Sequence, residues 1–291
     1  MSTSNRSENA AGIGLMLLAA LMFALNDTLG KWLVATYSVG QVLVLRSLTA
    51  LIVLAPLVHR DGVAHLIRPA RPGLQGLRVL LGSVEVASFY WAVSLMPLAD
   101  TLAFWMAVPI FVAVASALFL REPIRAARLA AVGLGFGGVA LALGARLDAG
   151  WQPAAVAGVG VVMYTGFLLC TRSLRGTPAS VLAVYQMLGA MFLGLALLPF
   201  GWVTPSLFDA ALLMLLGVVG AGAHLLVTRS LALAPAAVVV PWQYSMIVWG
   251  VLFGWAFFGD VPTSLMLLGV GVIVAAGLWL GRLDMARSRG A

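Results

Sequence analysis

Apolar residues occur in long, nearly continuous blocks along this chain of 291 residues, and short segments rich in charge and proline separate the blocks. A helix that crosses a membrane needs about 20 mostly apolar residues. Blocks of that size lie at residues 11–36, 40–58, 74–95, 98–119, 126–144, 153–173, 179–199, 208–230, 236–258 and 263–281. The pattern therefore predicts an all-α integral membrane protein with ten transmembrane helices, here called helices one to ten.

The second half of the chain repeats a sequence pattern of the first half. The matched pairs are Leu95 and Leu233, Pro97 and Pro235, Ala99 and Ala237, Phe119 and Phe257, and Glu122 and Asp260. We predict two five-helix repeats, at residues 11–144 and 153–281, with residues 1–10 and 282–291 as tails. Because each repeat has an odd number of helices, the second repeat must cross the membrane in the inverted orientation.

Basic residues are distributed unevenly between the predicted loops. With the amino terminus inside, the outer loops hold only Arg146, and the inner loops and tails hold Arg6, Arg60, Arg68, Arg71, Arg78, Arg121, Arg125, Arg128, Arg172, Arg175, Arg229, Arg282, Arg287 and Arg289. Cytoplasmic loops of membrane proteins carry an excess of arginine and lysine. We therefore expect a protein of the cytoplasmic (inner) membrane with both termini in the cytoplasm.

Composition excludes several classes of protein. The chain is 62% hydrophobic and 9% charged, which does not suit a soluble domain and makes the lipid bilayer the first partner. The net charge of +7 lies in loops that flank apolar blocks, so we expect no nucleic-acid partner. There is one cysteine, and the sequence has no phosphate-binding loop, metal-ligand spacing or catalytic triad motif. We expect no metal, no cofactor, no catalytic residue and no enzyme activity.

A few polar side chains fall inside the predicted helices, where an ionisable group costs about 2.5–3.5 kcal/mol and usually faces a cavity or a partner. Asp27 and Lys31 lie one turn apart in helix one, which is the spacing of an ion pair. The side chain of Arg46 in helix two could pair with Asp27, pair with Glu85 of helix three, or extend to the outer membrane surface. Glu85 suits a polar site and a structural hydrogen bond about equally. His224 in helix eight is more often a satisfied interior histidine than a proton carrier.

A site between the repeats should use equivalent positions of both. In the repeat alignment Arg46 matches Gln186, and Trp105 matches Gln243. Mid-membrane Pro109 and Pro241 should bend helices four and nine and shape a cavity. The predicted substrate-binding residues are Asn26, Asp27, Arg46, Glu85, Trp105, Tyr164, Gln186, His224, Trp242 and Gln243.

Several of these segments resemble the EamA-type permeases of the drug/metabolite transporter superfamily. The second half carries LALAPAAVVVPWQYSMIVW and FFGD, and the first half carries LMPLADTLAFWMAVP, FLREP, FALNDTLGKWL and VLVLRSL. The resemblance implies a ten-helix transporter whose central pocket is formed by helices one to four and six to nine. It also implies substrates such as amino acids and other metabolites. Helix nine lacks the basic pair that phosphate-carrying relatives tend to have, which disfavours a phosphorylated substrate.

The leading hypothesis is a secondary transporter that exports small metabolites, with amino acids as the expected substrates, by alternating access. In this hypothesis Asp27 and Glu85 meet an ammonium group and Arg46 meets a carboxylate. Glu85 has no cation on its own helix, so it is the candidate for proton coupling. One alternative is export of cationic or aromatic drugs, attracted by the rings of Trp105 and Trp242. Another is a passive pore or a structural membrane subunit.

Overall fold

The computed structural model describes residues 3–62, 64–67, 69, 71–108, 110–112, 114–115, 126–144, 151–174, 176–233 and 239–288. Within these ranges the chain forms helices and turns and no β-strand, as the apolar blocks predict. The main helices are α1 Thr3–Val34, α2 Val39–Asp61, α3 Pro72–Leu95, α4 Leu98–Met106, α5 Ala126–Gly144, α6 Gln152–Ser173, α7 Ala179–Leu197, α8 Leu207–Leu233, α9 Ser245–Phe258 and α10 Ser264–Ser288.

Six helical segments in this part of the chain are long and apolar enough to cross a membrane. They are Ala10–Val34, Val39–Asp61, Pro72–Leu95, Gln152–Thr171, Ala179–Phe200 and Leu207–Val227. Two shorter apolar stretches, Leu98–Val112 and Ser264–Trp279, fall on predicted helices four and ten. The helices extend into both predicted tails, because α1 begins at Thr3 and α10 continues to Ser288.

Predicted helices four and nine are less regular than the sequence pattern indicates. The regular part of helix four ends at Met106, and Pro109 lies outside the described residues. Helix nine was expected to begin at residue 236, but α9 begins at Ser245, after a 3-10 segment Val240–Tyr244. Pro241 lies in the first turn of that segment, where its missing amide hydrogen costs no helical hydrogen bond.

Local sequence signals set several helix ends. The Ser38 side chain accepts a hydrogen bond from the Gln41 amide and caps the start of α2. Pro72 occupies the first turn of α3, where a missing amide hydrogen costs nothing. Gly259 ends α9 with φ of +68°, in the left-handed region that glycine adopts readily. This turn places Asp260 directly after the helix.

The main interfaces join a helix of the first half to a helix of the second half. They include the pairings of α5 with α10, α1 with α8, α2 with α7, α3 with α6, α2 with α8 and α4 with α9. The largest buried apolar cluster includes Leu43, Tyr90 and Leu98 from the first half and Leu213 and Ile247 from the second. Each half therefore buries its inner faces against the other half.

Glycines allow the closest approaches between these helices. A side chain on Gly40 of α2 would overlap the backbone oxygen of Gly194 in α7, and a side chain on Gly138 of α5 would overlap that of Gly269 in α10. Gly217 of α8 is in contact with the backbone of Arg46 in α2. Helices in lipid associate through close packing, because there is no water to exclude between them.

We expect Gly217→Ala to destabilise the protein, because the added methyl group would overlap the Arg46 carbonyl oxygen and the Ala50 amide, which belong to helix backbone. Overpacking of this kind costs about 1–3 kcal/mol. The melting temperature of the purified protein in detergent should fall. Gly137→Ala is the matched control, because no atom of another helix lies within 4 Å of the added methyl group. Equal melting temperatures for the two variants would contradict the close packing of α2 on α8.

Candidate functional site

Polar side chains from α1, α2 and α3 meet in the interior. Arg46 is 8% exposed, and its Nη1 donates a hydrogen bond of 2.8 Å to the hydroxyl of Tyr90. On α1, the Asn26 amide donates to a carboxylate oxygen of Asp27 at 3.2 Å. Gly220 of α8 closes this cluster, since a Cβ there would lie 3.1 Å from Asn26 Oδ1 and 3.3 Å from Arg46 Nη2. Arg46 therefore points inward and does not extend to the outer surface.

Tyr90 belongs to this cluster, although the sequence analysis did not select it. Its side chain is fully buried. The ring packs on Gly30 of α1 and makes an edge contact with Phe89, with centroids 5.7 Å apart. Tyr90 lies within the apolar helix α3, which ends at Leu95, and a polar hydroxyl inside an apolar block was the available signal. Tyr90 positions Arg46, because its hydroxyl is the acceptor that keeps the guanidinium in the interior.

Glu85 and Trp105 form a second contact beside this cluster. The indole Nε1 of Trp105 donates a hydrogen bond of 2.8 Å to Glu85 Oε1. Trp105 is 8% exposed, its ring meets Phe89 edge-on at 5.0 Å, and its far edge lies against Gly160 of α6. The rings of Phe89, Tyr90 and Trp105 thus form one aromatic wall beside both carboxylates.

The cluster combines one cation with two carboxylates. Arg46 interacts electrostatically with Asp27 and with Glu85. Arg46 Nε and Asn26 Oδ1 are both buried and have no hydrogen-bond partner among the described residues. An unpaired buried donor and an unpaired buried acceptor are each costly. This arrangement suits a ligand that brings an acceptor to the guanidinium and a donor to the amide and carboxylate oxygens. We call Asn26, Asp27, Arg46, Glu85, Tyr90 and Trp105 the central cluster.

The predicted ion pair between Asp27 and Lys31 is wrong. Lys31 Nζ lies 2.7 Å from Asp260 Oδ2, and the ammonium also lies 4.6 Å from the ring centroid of Phe258. The turn at Gly259 brings Asp260 to the end of α1, so a partner from the other half replaces the neighbour on the same helix. Lys31 is therefore occupied at the end of α1, and Arg46 remains as the cation of the central cluster.

Two more of the predicted residues lie near the cluster. Gln186 of α7 packs against Gly82 of α3, one turn from Glu85, and its Oε1 has no hydrogen-bond partner among the described residues. Tyr164 of α6 is half-buried, stacks on Phe167 with centroids 5.9 Å apart, and interacts electrostatically with Glu85. Both remain candidates for a ligand that contacts α3.

The other three lie farther out. His224 makes an edge contact with Phe23 at 4.9 Å and lines a cavity of about 70 Å³ between α2, α7 and α8. Trp242 is 44% exposed and Gln243 is half-buried, on the 3-10 segment that packs against α1. The structure therefore concentrates the polar groups on the first half more strongly than repeat symmetry predicts.

Arg78 was assigned to an inner loop, and this assignment is wrong. It lies on α3 and is 4% exposed. Its Nε donates to Thr171 Oγ1 at 2.8 Å, and its Nη1 donates to the Leu182 backbone oxygen at 3.1 Å. The long arginine side chain reaches from the start of α3 into the contact with α6 and α7.

Polar contacts between the halves also lie at both ends of the bundle. At the end that contains the α1–α2 turn, Tyr37 donates a hydrogen bond to Asp209 at 2.7 Å. The side-chain amide of Gln41 donates to the backbone oxygen of Val203 at 2.7 Å and accepts from the backbone N–H of Val203 at 3.1 Å. The hydrogen bond to Asp209 raises the pKa of Tyr37, so the phenol stays a neutral donor. At the opposite end, Ser180 donates to Asp61 at 2.6 Å.

A metal centre has no support in the described part of the chain. No group of three or more histidine, cysteine, aspartate or glutamate side chains there could hold an ion. The side chains of the central cluster offer ion pairing, hydrogen bonding and ring contact.

Three similarities to known proteins bear on this site. Residues 10–144 match the EamA-like transporter family. A riboflavin transporter of Rhizobium johnstonii is 29% identical over 279 residues, which cover 94% of this chain and 92% of that protein. A pseudopaline exporter of Pseudomonas aeruginosa is 28% identical over 275 residues, which cover 94% of this chain and 96% of that protein.

A protein of known crystal structure has the same fold. It superposes on 98% of this chain and 99% of its own length, with a TM-score of 0.64 and 19% sequence identity. At this identity the likeness concerns the fold alone.

We expect Tyr90→Phe to destabilise the protein by about 1.5–3 kcal/mol, the usual range for a hydrogen bond to a charged group. The ring would stay, but Arg46 Nη1 would lose its acceptor while Arg46 Nε is already unpaired. Tyr37→Phe is the matched control. Its acceptor Asp209 keeps a hydrogen bond of 2.9 Å from Ser206, so the loss should be smaller. Melting temperatures in detergent would measure the stability of both variants. A decrease for Tyr37→Phe as large as that for Tyr90→Phe, or larger, would contradict the role of Tyr90.

Proposed function

Because the chain belongs to the EamA-like transporter family, whose domain it carries over residues 10–144, we propose that it exports small zwitterionic metabolites, with amino acids as the first class to test. The chain is a multi-pass membrane transporter. The observation that carries the proposal is the central cluster, which brings one guanidinium and two carboxylates together in the interior of a membrane protein.

The chemistry of the central cluster supports a zwitterion. A substrate carboxylate would accept hydrogen bonds from Arg46, whose Nε has no partner among the described residues. A substrate ammonium would donate to Asp27 and to Asn26 Oδ1, or to Glu85. Each contact would satisfy a buried group whose isolation is costly. An apolar solute would leave these groups unsatisfied.

Two inverted repeats with both termini in the cytoplasm are part of the proposal. The interfaces between the halves support the repeats, because they follow the symmetry that two repeats would give. This symmetry exchanges α1 with α6, α2 with α7 and so on, so the pairing of α1 with α8 corresponds to the pairing of α6 with α3, and both are present. The pairings α2 with α7, α4 with α9 and α5 with α10 map onto themselves. The arginine excess of the inner loops supports the cytoplasmic termini.

Alternating access requires that the two ends open in turn around one site. The contacts between the halves support this mechanism, because each end is held by a small number of polar bonds. Lys31 with Asp260 holds one end, and Ser180 with Asp61 holds the other. Such bonds can be exchanged for bonds to water when an end opens, whereas the packed glycine interfaces can stay intact.

A second candidate substrate class is a flat heterocycle. The riboflavin transporter of Rhizobium johnstonii favours it, and so does the aromatic wall of Phe89, Tyr90 and Trp105. A ring system would stack on this wall, and the polar groups of the central cluster would bond its edge. Competition between riboflavin and an amino-acid panel in one uptake assay would separate the two classes.

The first test is transport by the purified protein in liposomes. We expect saturable counterflow of at least one amino acid, which a passive pore or a structural subunit would not give. Absence of transport for every amino acid and for riboflavin would contradict the proposal.

Glu85→Gln keeps the acceptor oxygen for Trp105 but removes the proton carrier. We expect transport driven by a proton gradient to fall at least tenfold, with counterflow retained, whereas Asp27→Asn should weaken substrate binding. Glu8→Gln, an exposed carboxylate at the start of α1, is the control for loss of charge. Full gradient-driven transport by Glu85→Gln would remove Glu85 as the coupling residue.

A cross-link between Lys31→Cys and Asp260→Cys should stop transport, because it would hold one end closed. Cys170 is the only cysteine, so Cys170→Ser supplies a background without other thiols. A bis-maleimide with a reducible spacer would block counterflow by more than tenfold, and a reductant would restore it. The two single-cysteine variants, treated in the same way, are the controls. Undiminished counterflow in the cross-linked protein would rule out opening at this end.

A further inference from the structure

Arg78 is a buried cation whose neighbours are neutral. The residue is 4% exposed. Its guanidinium bonds the hydroxyl of Thr171 and the backbone oxygen of Leu182, and lies 4.5 Å from the ring centroid of Phe167. The free thiol of Cys170 is also near, but a thiol is mostly protonated at neutral pH. No described carboxylate forms an ion pair with Arg78. A buried charge without a counter-ion is strongly destabilising, so this position suits an anion.

Gln75 provides an independent observation at the same place. It lies one turn before Arg78 on the same face of α3, and it is 4% exposed. Its Nε2 has no hydrogen-bond partner among the described residues. Two adjacent buried donors, one of them a guanidinium with N–H groups to spare, match the two oxygens of a carboxylate.

The same face of α3 leads from this position to the central cluster. Gly82 and Glu85 follow at one-turn intervals, and Arg78 precedes Glu85 by about 10 Å along the helix axis. Gln186 fills the space beside Gly82, between the two positions, and its Oε1 is buried without a hydrogen-bond partner among the described residues. A polar face therefore continues from the first turns of α3 to the aromatic wall.

We propose that Arg78 and Gln75 form a second binding site, which takes the carboxylate group of the transported solute before or after the solute occupies the central cluster. The inference rests on the proposed transport function and names a further station on the path of the same solute. An amino acid is too short to reach Arg78 and Glu85 together, so the two sites are occupied in turn. A lipid headgroup does not suit the position, because the guanidinium points towards α6 and α7.

The sharpest test is Gln75→Glu, which places a permanent carboxylate one turn from Arg78. An anion site predicts that this variant melts above the wild type, by about 2–4 °C. A position that needs no anion predicts a lower melting temperature, because a further charged group would be buried. Gln152→Glu, at an exposed glutamine in the first turn of α6, is the matched control and should change little.

A titration with sodium acetate, the smallest stable carboxylate probe, uses the same purified full-length protein. Compared with sodium chloride at equal ionic strength, acetate should raise the melting temperature of the wild type and of Gln152→Glu. It should not raise that of Gln75→Glu, because the introduced carboxylate occupies the site. Arg78→Lys keeps the charge but loses the planar guanidinium, which can donate two parallel hydrogen bonds to a carboxylate. Arg78→Lys should need at least about tenfold more acetate to reach half of the shift in melting temperature, which corresponds to a loss of about 1.4 kcal/mol of binding free energy.

Three results would overturn the inference. The wild type could show no response to acetate beyond that to chloride, Gln75→Glu could melt below the wild type, or inorganic phosphate could give a larger shift than acetate. These measurements do not depend on transport. A wild-type response to acetate in a protein that moves no solute would leave the site in place and remove the proposed function instead.

Discussion

The buried guanidinium of Arg46 is the constraint on which the interior depends. A charge inside a membrane protein needs polar partners, because lipid cannot solvate it. Tyr90 supplies the hydrogen bond, Asp27 and Glu85 supply the opposing charge, and Gly217 lets α8 pack on the backbone at the same residue. The second half thus covers the polar groups of the first half.

The packing between the halves follows from the same constraint. Polar groups can stay in the interior only if the helices that cover them pack closely, and glycines make this possible at Gly40 with Gly194 and at Gly217 with the Arg46 backbone. The ends of the bundle are different, since Lys31 with Asp260 and neighbouring polar bonds hold them. The helix pairs are therefore held by close packing, whereas the ends of the bundle are held by polar bonds that water can replace.

Much of this could be predicted from the sequence. The apolar blocks predicted a helical membrane protein, the described residues are helical without strands, and the resemblance to EamA-type permeases is confirmed. These inferences succeed because block length and motif spacing are properties of the chain alone. The selection of Arg46 and Glu85 as interior residues rested on the same logic, since ionisable groups in apolar blocks are rare.

The partners of the charged side chains could not be predicted in this way. Sequence spacing gave Lys31 a partner on its own helix, but the turn at Gly259 brings in Asp260 from the other half. Arg78 was counted with the inner-loop arginines, while its contacts lie on α6 and α7. Both errors have one physical cause: a long side chain finds its partner through the packing of distant helices, which a linear pattern does not contain.

The pairing of Lys31 with Asp260 also has an electrical consequence. With the lysine engaged at the end of α1, the central cluster holds one positive and two negative side chains, Arg46 against Asp27 and Glu85, when both carboxylates are ionised. In the proposed transport cycle, a bound proton or cation would cancel the one net negative charge of this cluster, whereas a zwitterion without net charge would leave it unchanged. Moving one charge through the full field costs about 2.3 kcal/mol per 100 mV. The membrane potential would therefore act on the proposed carrier whenever no proton or cation is bound to the cluster, and would not act on the neutralised cluster.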